Sequence, residues 1–378
     1  MAQHPGVDST TITAREVGLI RSLIHGVVQR LGLQRQPELY YFAPGVNWSL
    51  DWDGAYITRE VERQFGMKAK VVSQTGGLSG QIVHCASLWE LAGCAGTRLG
   101  ERNKIVGTIF HGHKEAPQFR EAFEKVLTHQ EEFVKIHTAS RIMEQRLLDW
   151  GIPPDKLARI PLGVDLERFR PIGSEEKATR RKELGIPEDA FCIGSLHKDG
   201  VGMAEGLEPK LIKGPDIFLR VIEIANKKQP VFVLLSAPAR GYVKRGLERL
   251  HIPYRHIVLE DYLQIPGLYQ ALDVYVMTSR EEGGPKGVLE SLATGVPVVA
   301  TRVGLVPEVI THGENGFVAE SEDVEALADG VLQLRDQPDL GMQFAQRGQQ
   351  VIADYAWPKI AGRYYHEIYE AILADLAN

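Results

Sequence analysis

Short apolar runs bounded by turn residues alternate along this chain with longer stretches whose apolar positions recur every three or four residues. The first kind reads as strands buried on both faces and the second as amphipathic helices. Their alternation predicts βαβ units around parallel sheets. In the first half, ELYYFAP (38–44), KAKVVSQ (68–74), QIVHCAS (81–87), NKIVGTIFHG (103–112) and KIHTAS (135–140) are the expected strands. Helices are expected there over 54–65, 117–130 and 140–150. In the second half, FCIGSL (191–196), VFVLLSA (231–237), HIVLE (256–260), DVYVMTS (273–279), VPVVATR (296–302) and GFVAE (316–320) follow the same logic. The intervening helices are expected over 215–227, 241–250, 266–272, 287–294, 306–312 and 323–335. Between the halves, Gly163, Pro171 and Gly173 in IPLGVDLERFRPIG interrupt regular structure. The pattern therefore implies an α/β protein with two doubly wound, Rossmann-like domains and a cleft between them. Near the end, Ile360, Tyr364, Tyr365, Ile368, Tyr369 and Ile372 form one helical stripe that has to be buried.

Composition narrows the class. With 378 residues, 44% hydrophobic and 24% charged, the chain can bury sizeable cores, and wholesale disorder is excluded. No apolar run approaches the ~20 residues that span a bilayer. The first residues show neither a basic start nor an apolar centre, so no secretory leader is expected. Three cysteines, Cys85, Cys94 and Cys192, without a CxxC pair argue for reduced thiols, a cytoplasmic setting and no zinc framework. Residues 1–170 hold 21 Lys/Arg against 19 Asp/Glu, and the remainder holds 22 against 30. This is too little basic charge for a nucleic-acid partner. It is compatible with peripheral contact between the first half and an anionic acceptor or the inner membrane.

Parallel sheets bind ligands where strand ends run into helix N-termini. The densest such segment is TSREEGGPKGVLESLATGVPVVATRVGLVPEVI, residues 278–310. Gly283, Gly284 and Gly287 lack side chains, so the backbone before a helix opening near Lys286 can come close to an anion such as a diphosphate. Glu282 in the loop and Glu290 in the helix can face one ligand from two heights and bond sugar or ribose hydroxyls.

This segment resembles the signature of glycosyltransferase family 4, retaining enzymes of the two-Rossmann-domain GT-B architecture. The matching residues are Glu282, Gly283, Gly284, Glu290, Gly295, Pro297, Val298, Val299, Gly304 and Glu308, followed by GENGFV (313–318). IPLGVDLERFRP (160–171) is similar to the family's hinge. The resemblance implies an acceptor domain over 1–168, a nucleotide-sugar donor domain over 169–353, and a terminal helix, 354–378, crossing back to the first.

It also implies roles. Lys213, in a Lys-Gly pair before a helix, matches a family lysine that neutralises the leaving diphosphate. The family's arginine after the preceding strand is absent: Ser195 stands there, and Lys198 is the candidate replacement. Catalysis is expected from Lys213, Lys198, Glu282 and His111. Donor binding falls to Ser195, Gly283, Gly284, Pro285, Lys286, Gly287, Val288 and Glu290. Gly45, Asn47 and His113 are placed on the acceptor side, while Trp48 and Trp52 nearby are equally suited to capping a core. His111 and His113 have no third ligand at metal spacing, and no Asp-x-Asp ends a strand, so no metal or other cofactor is expected. The expected reaction moves a sugar from a nucleoside diphosphate to a hydroxyl of a glycan, lipid-linked or small-molecule acceptor, with the anomeric configuration retained. A nucleotide-sugar epimerase or hydrolase on the same fold would need further cleft carboxylates. A nicotinamide oxidoreductase would need a G-x-G-x-x-G that neither half contains.

Overall fold

A computed structural model of the chain describes residues 38–46 and 49–377. It contains two parallel six-stranded sheets. The first comprises β1 (Leu39–Phe42), β2 (Ala69–Val72), β3 (Ile82–Cys85), β4 (Lys104–Thr108), β5 (Phe133–Thr138) and β6 (Leu157–Arg159) in the order β2-β1-β3-β4-β5-β6. The second comprises β7 (Cys192–Ser195), β8 (Phe232–Ser236), β9 (Tyr254–Ile257), β10 (Val274–Met277), β11 (Val298–Thr301) and β12 (Phe317–Ala319) in the order β12-β11-β10-β7-β8-β9. Counted from its own first strand, the second sheet has the dinucleotide-fold order 3-2-1-4-5-6.

The chain divides into two compact units. One holds the chain through Thr108, with 122–135 and 365 onward; the other holds 109–121 and 136–364. In the second unit, every residue of β7, β8, β10 and β11 is buried, as an all-parallel sheet covered on both faces requires. One core face centres on Leu234, Leu272, Leu289 and Val298, the other on Ile193, Val221, Val276 and Val299.

Most expected elements are present within a few residues, and four differences have clear causes. β9 lies two to three residues before the expected run, because its pairing with β8 starts at Val233 opposite Tyr254. β6 is only three residues long and escapes periodicity. Helix Ser174–Leu184 has no apolar stripe: it docks through Lys177 and Arg181, whose side chains reach Asp273 at 2.9 and 2.5 Å. The terminal stripe is not one helix but Trp357–Tyr364, a π-helical turn Tyr365–Tyr369 and Glu370–Ala377.

The wider π turn lets this last segment change partners. In the second unit, Tyr364 bonds the His137 ring at 3.0 Å, and Trp357 fills the space a side chain would take at Gly163. From Tyr365 the chain joins the first unit. There Tyr365 stacks on Phe65 at 4.0 Å, and Tyr369 bonds the buried His84 at 2.6 Å. The terminal stripe is thus buried in two pieces, one in each unit. Among the described residues, no helix is long and apolar enough to cross a membrane.

Candidate active site

In the second sheet the strand order reverses between β7 and β10, so the loops leaving these two strands flank the crevice where such sheets take ligands. The loop after β7 ends in a short turn, Leu211–Lys213, closed by Gly214 at φ +63°. A Cβ at Gly214 would stand 1.9 Å from the carbonyl oxygen of Thr278, so only glycine lets this turn reach β10. The junction is pinned by Thr278 Oγ1 donating to Gly214 O (2.8 Å), Arg280 N–H donating to Ile212 O (2.9 Å), and a two-pronged Arg280–Asp216 pair at 2.8 and 2.7 Å.

That geometry sets Lys213 against Glu282. Lys213 Nζ donates to Glu282 Oε1 at 2.6 Å, and Ser279 Oγ donates to the same oxygen at 2.8 Å. Burial pushes Glu282 up, but Lys213, with help from His111 and His197, outweighs it and holds the carboxyl down to about 2. His197, two residues past the end of β7, hydrogen-bonds the Lys213 backbone; burial, Arg240 and Lys213 push it down to about 3, so it is neutral at pH 7. Burial likewise lowers His111; Glu282 works against the shift and Lys213 with it. The His111 ring sits edge-on to Phe119 at 5.5 Å, and its Nδ1 has no hydrogen-bond partner. Lys210, lowered by burial and by Lys213 and Lys198, adds a further cation. The cluster is thus one ionised carboxylate beside lysines and two neutral imidazoles. It can bond hydroxyls through Glu282 and stabilise phosphate charge through the lysines.

Other expected residues have different surroundings. Lys198 Nζ lies 3.3 Å from Met203 Sδ. Ser195 is buried and accepts from Arg240 through both its carbonyl (2.6 Å) and its hydroxyl (3.0 Å). Arg240 itself is fully buried against Asp199 at 2.9 Å. The guanidinium absent from position 195 is therefore brought beneath it from the end of β8. The glycines make room for the protein itself: a Cβ at Gly283 would meet Phe110 O at 2.2 Å, at Gly284 Leu162 at 2.8 Å, and at Gly287 the Tyr275 hydroxyl at 2.3 Å. Pro285 caps helix Lys286–Ala293, Val288 is buried within it, and Lys286 Nζ lies 5.4 Å from the Tyr262 ring centre. Glu290 is buried, with one carboxylate oxygen bonded by Tyr269 at 2.8 Å and the other by Tyr262. His113 is exposed, 3.6 Å from Glu281. Gly45 belongs to the first unit, where its N–H donates to Asp51 at 2.7 Å, and Asn47 and Trp48 lie outside the described residues.

His197, Lys210, Ser279 and Arg240 went unnoticed in the sequence. His197 alone had a usable signal, a titratable side chain directly after a strand at the reversal of strand order.

Comparison with known proteins bears on the family and the fold. Residues 200–337 match the family described as Glycosyl transferases group 1. A D-inositol 3-phosphate glycosyltransferase of Corynebacterium urealyticum is 26% identical over 316 residues, spanning 79% of this chain and 71% of that protein. Its counterpart in Streptomyces scabiei is 28% identical over 238 residues, 59% of this chain and 50% of that one. Among solved structures, Anabaena HepE in complex with UDP superposes with a TM-score of 0.68 at 16% identity, covering 89% of this chain and 99% of HepE. Sucrose-phosphate synthase of Thermosynechococcus elongatus gives 0.62 at 17% identity, covering 84% and 76%. At these identities the two structures establish a shared fold.

Proposed function

We propose that this chain, whose residues 200–337 match the glycosyl transferases of group 1, transfers a sugar from a nucleoside diphosphate sugar to an acceptor hydroxyl with retained anomeric configuration. The observation that carries this reading is the Lys213–Glu282 pair, held at 2.6 Å where the strand order of the second sheet reverses. As the glycosidic bond breaks, negative charge grows on the departing diphosphate. Lys213, with Lys198 and Lys210 beside it, supplies fixed positive potential there, and the first N–H groups of helix Lys286–Ala293 add to it. Glu282 stays ionised and holds sugar hydroxyls, while neutral His197 keeps the Lys213 backbone in place. His111 faces the same sugar. Glu290 takes the ribose diol, with Tyr262 and Tyr269 fixing its carboxylate. Lysines replace a divalent metal in this scheme. UDP-sugars are the first donors to test, since HepE was solved with UDP. A polyol or sugar acceptor fits the named relatives. Peripheral contact with an anionic membrane fits the charge of the first half.

The test is calorimetry and transfer assays with UDP-, GDP-, ADP- and dTDP-sugars. One nucleotide should bind, transfer should survive EDTA, and Lys213→Met should lower kcat by about 10²–10³-fold. Absence of binding by every nucleotide, or activity lost to EDTA and restored only by Mg²⁺ or Mn²⁺, would overturn the proposal.

A further inference from the structure

We infer that Glu281 and Arg146 form a clasp that positions His111 for the reaction proposed above, on which this inference rests. Glu281 Oε1 accepts from Arg146 Nη1 at 2.6 Å and from the Gly112 N–H at 3.1 Å. Arg146 Nη1 also donates to Gly112 O at 2.8 Å. Both backbone groups of the residue next to His111 are therefore held by one ion pair. The pair is mostly shielded from water, with side chains 17% and 16% exposed, and it lies directly before Glu282 in sequence. Gly112 sits at φ +123°, a conformation open to glycine and rarely to other residues.

The neighbouring contacts agree. Gly283 has no side chain, and the space one would fill holds Phe110 O, so segments 110–112 and 281–283 run against each other. His113 Nε2 approaches the second oxygen of Glu281 at 3.6 Å. Among the described residues, the His111 ring has an edge contact with Phe119 and an Nδ1 without a hydrogen-bond partner. Its direction is consequently set by the backbone, and the backbone is set by the clasp. Glu281 and Arg146 are thus positioning residues that act on the reaction through His111.

Three variants of the full chain test this: Glu281→Ala, Glu281→Gln and Arg146→Gln. Glu281→Gln keeps an acceptor oxygen for both donors. A misplaced group of this kind costs up to about 10²-fold in rate, so Glu281→Ala should lower kcat at least about 10-fold while KM for the nucleotide sugar stays within about threefold. Glu281→Gln should recover most of that loss. Combining Arg146→Gln with Glu281→Ala should add little to either alone, because the two act as one unit. Amide hydrogen exchange over 110–113 should rise in Glu281→Ala and Arg146→Gln and stay near the parent rate in Glu281→Gln. A higher KM with unchanged kcat, or unchanged exchange over 110–113, would overturn the clasp. If Glu281→Ala fails to fold, Arg146→Gln carries the same readouts. If the parent chain turns over no nucleotide sugar, the functional reading fails, and the exchange measurement still decides whether the clasp holds the loop.

Discussion

The two sheets each contain a reversal of strand order, and they furnish it differently. In the second, the loops after β7 and β10 bring together Lys213, Glu282, His197 and Lys210, and a backbone contact at Gly214 leaves no room for a Cβ. In the first, the reversal falls between β1 and β3. There the loop after β1 is organised by Asp51, which accepts from the N–H groups of Gly45 and Val46 at 2.7 and 3.2 Å, and the chain after β3 starts a helix capped by Ser87. One crevice is built around the Lys213–Glu282 ion pair; the other, among the described residues, around backbone N–H groups capped by Asp51 and Ser87. A common α/β architecture thus fixes where a ligand can bind, and loop chemistry decides which crevice is built for charge.

The contrast is sharpest at matched glycines. Gly214→Ala would place a methyl group against an immobile carbonyl at a positive φ. We expect a loss of about 3 kcal/mol or more of stability, together with transfer activity, read by urea unfolding and turnover. Stability within about 1 kcal/mol of the parent would show that the junction yields and the contrast is overstated.

Acid should expose the second unit next. His137, fully buried, bonded to Ile160 O at 2.8 Å and lowered by burial to about 4, takes no proton in the folded state until well below the pH at which the unfolded imidazole does. The unfolded chain therefore binds more protons between about pH 6.5 and 4, and stability falls as pH drops through that window. His197, down to about 3, acts in the same direction, and Glu282 loses its contribution from about pH 4.5 toward 2. His137 alone should cost about 2 kcal/mol between pH 7 and 5, and urea midpoints that stay flat across this range would refute it.

The smallest effect is expected in the first crevice. Gly45→Ala strains a φ of +73°, but the new methyl meets the Ser73 side chain at 2.7 Å rather than rigid backbone. About 1 kcal/mol should be lost, and a loss as large as at Gly214 would erase the distinction between the two crevices.

Much of this was legible from residues alone. Continuous apolar runs announced eleven of the twelve strands among the described residues, and Glu282 stood out in its glycine-rich strand end, whereas Lys213 and His111 were singled out by the resemblance to glycosyltransferase family 4. Helix Ser174–Leu184 was not, since its docking depends on Arg181 and Lys177 reaching a carboxylate some ninety residues away. The same holds for Arg240, whose role beneath Ser195 joins positions 45 residues apart.

What the sequence determined by itself is local: where the chain must be strand or helix, which turns need glycine, and which loops hold ionisable groups. These follow from short-range sterics and hydrophobic periodicity, which act over a few residues. Tertiary structure alone decided that Glu282 remains a carboxylate, that His197 and His111 are neutral, that the tyrosines bind Glu290, and that Glu281 and Arg146 hold the backbone beside His111. Each depends on burial and on charges brought within a few ångströms by strand order, and no spacing along the chain encodes that distance.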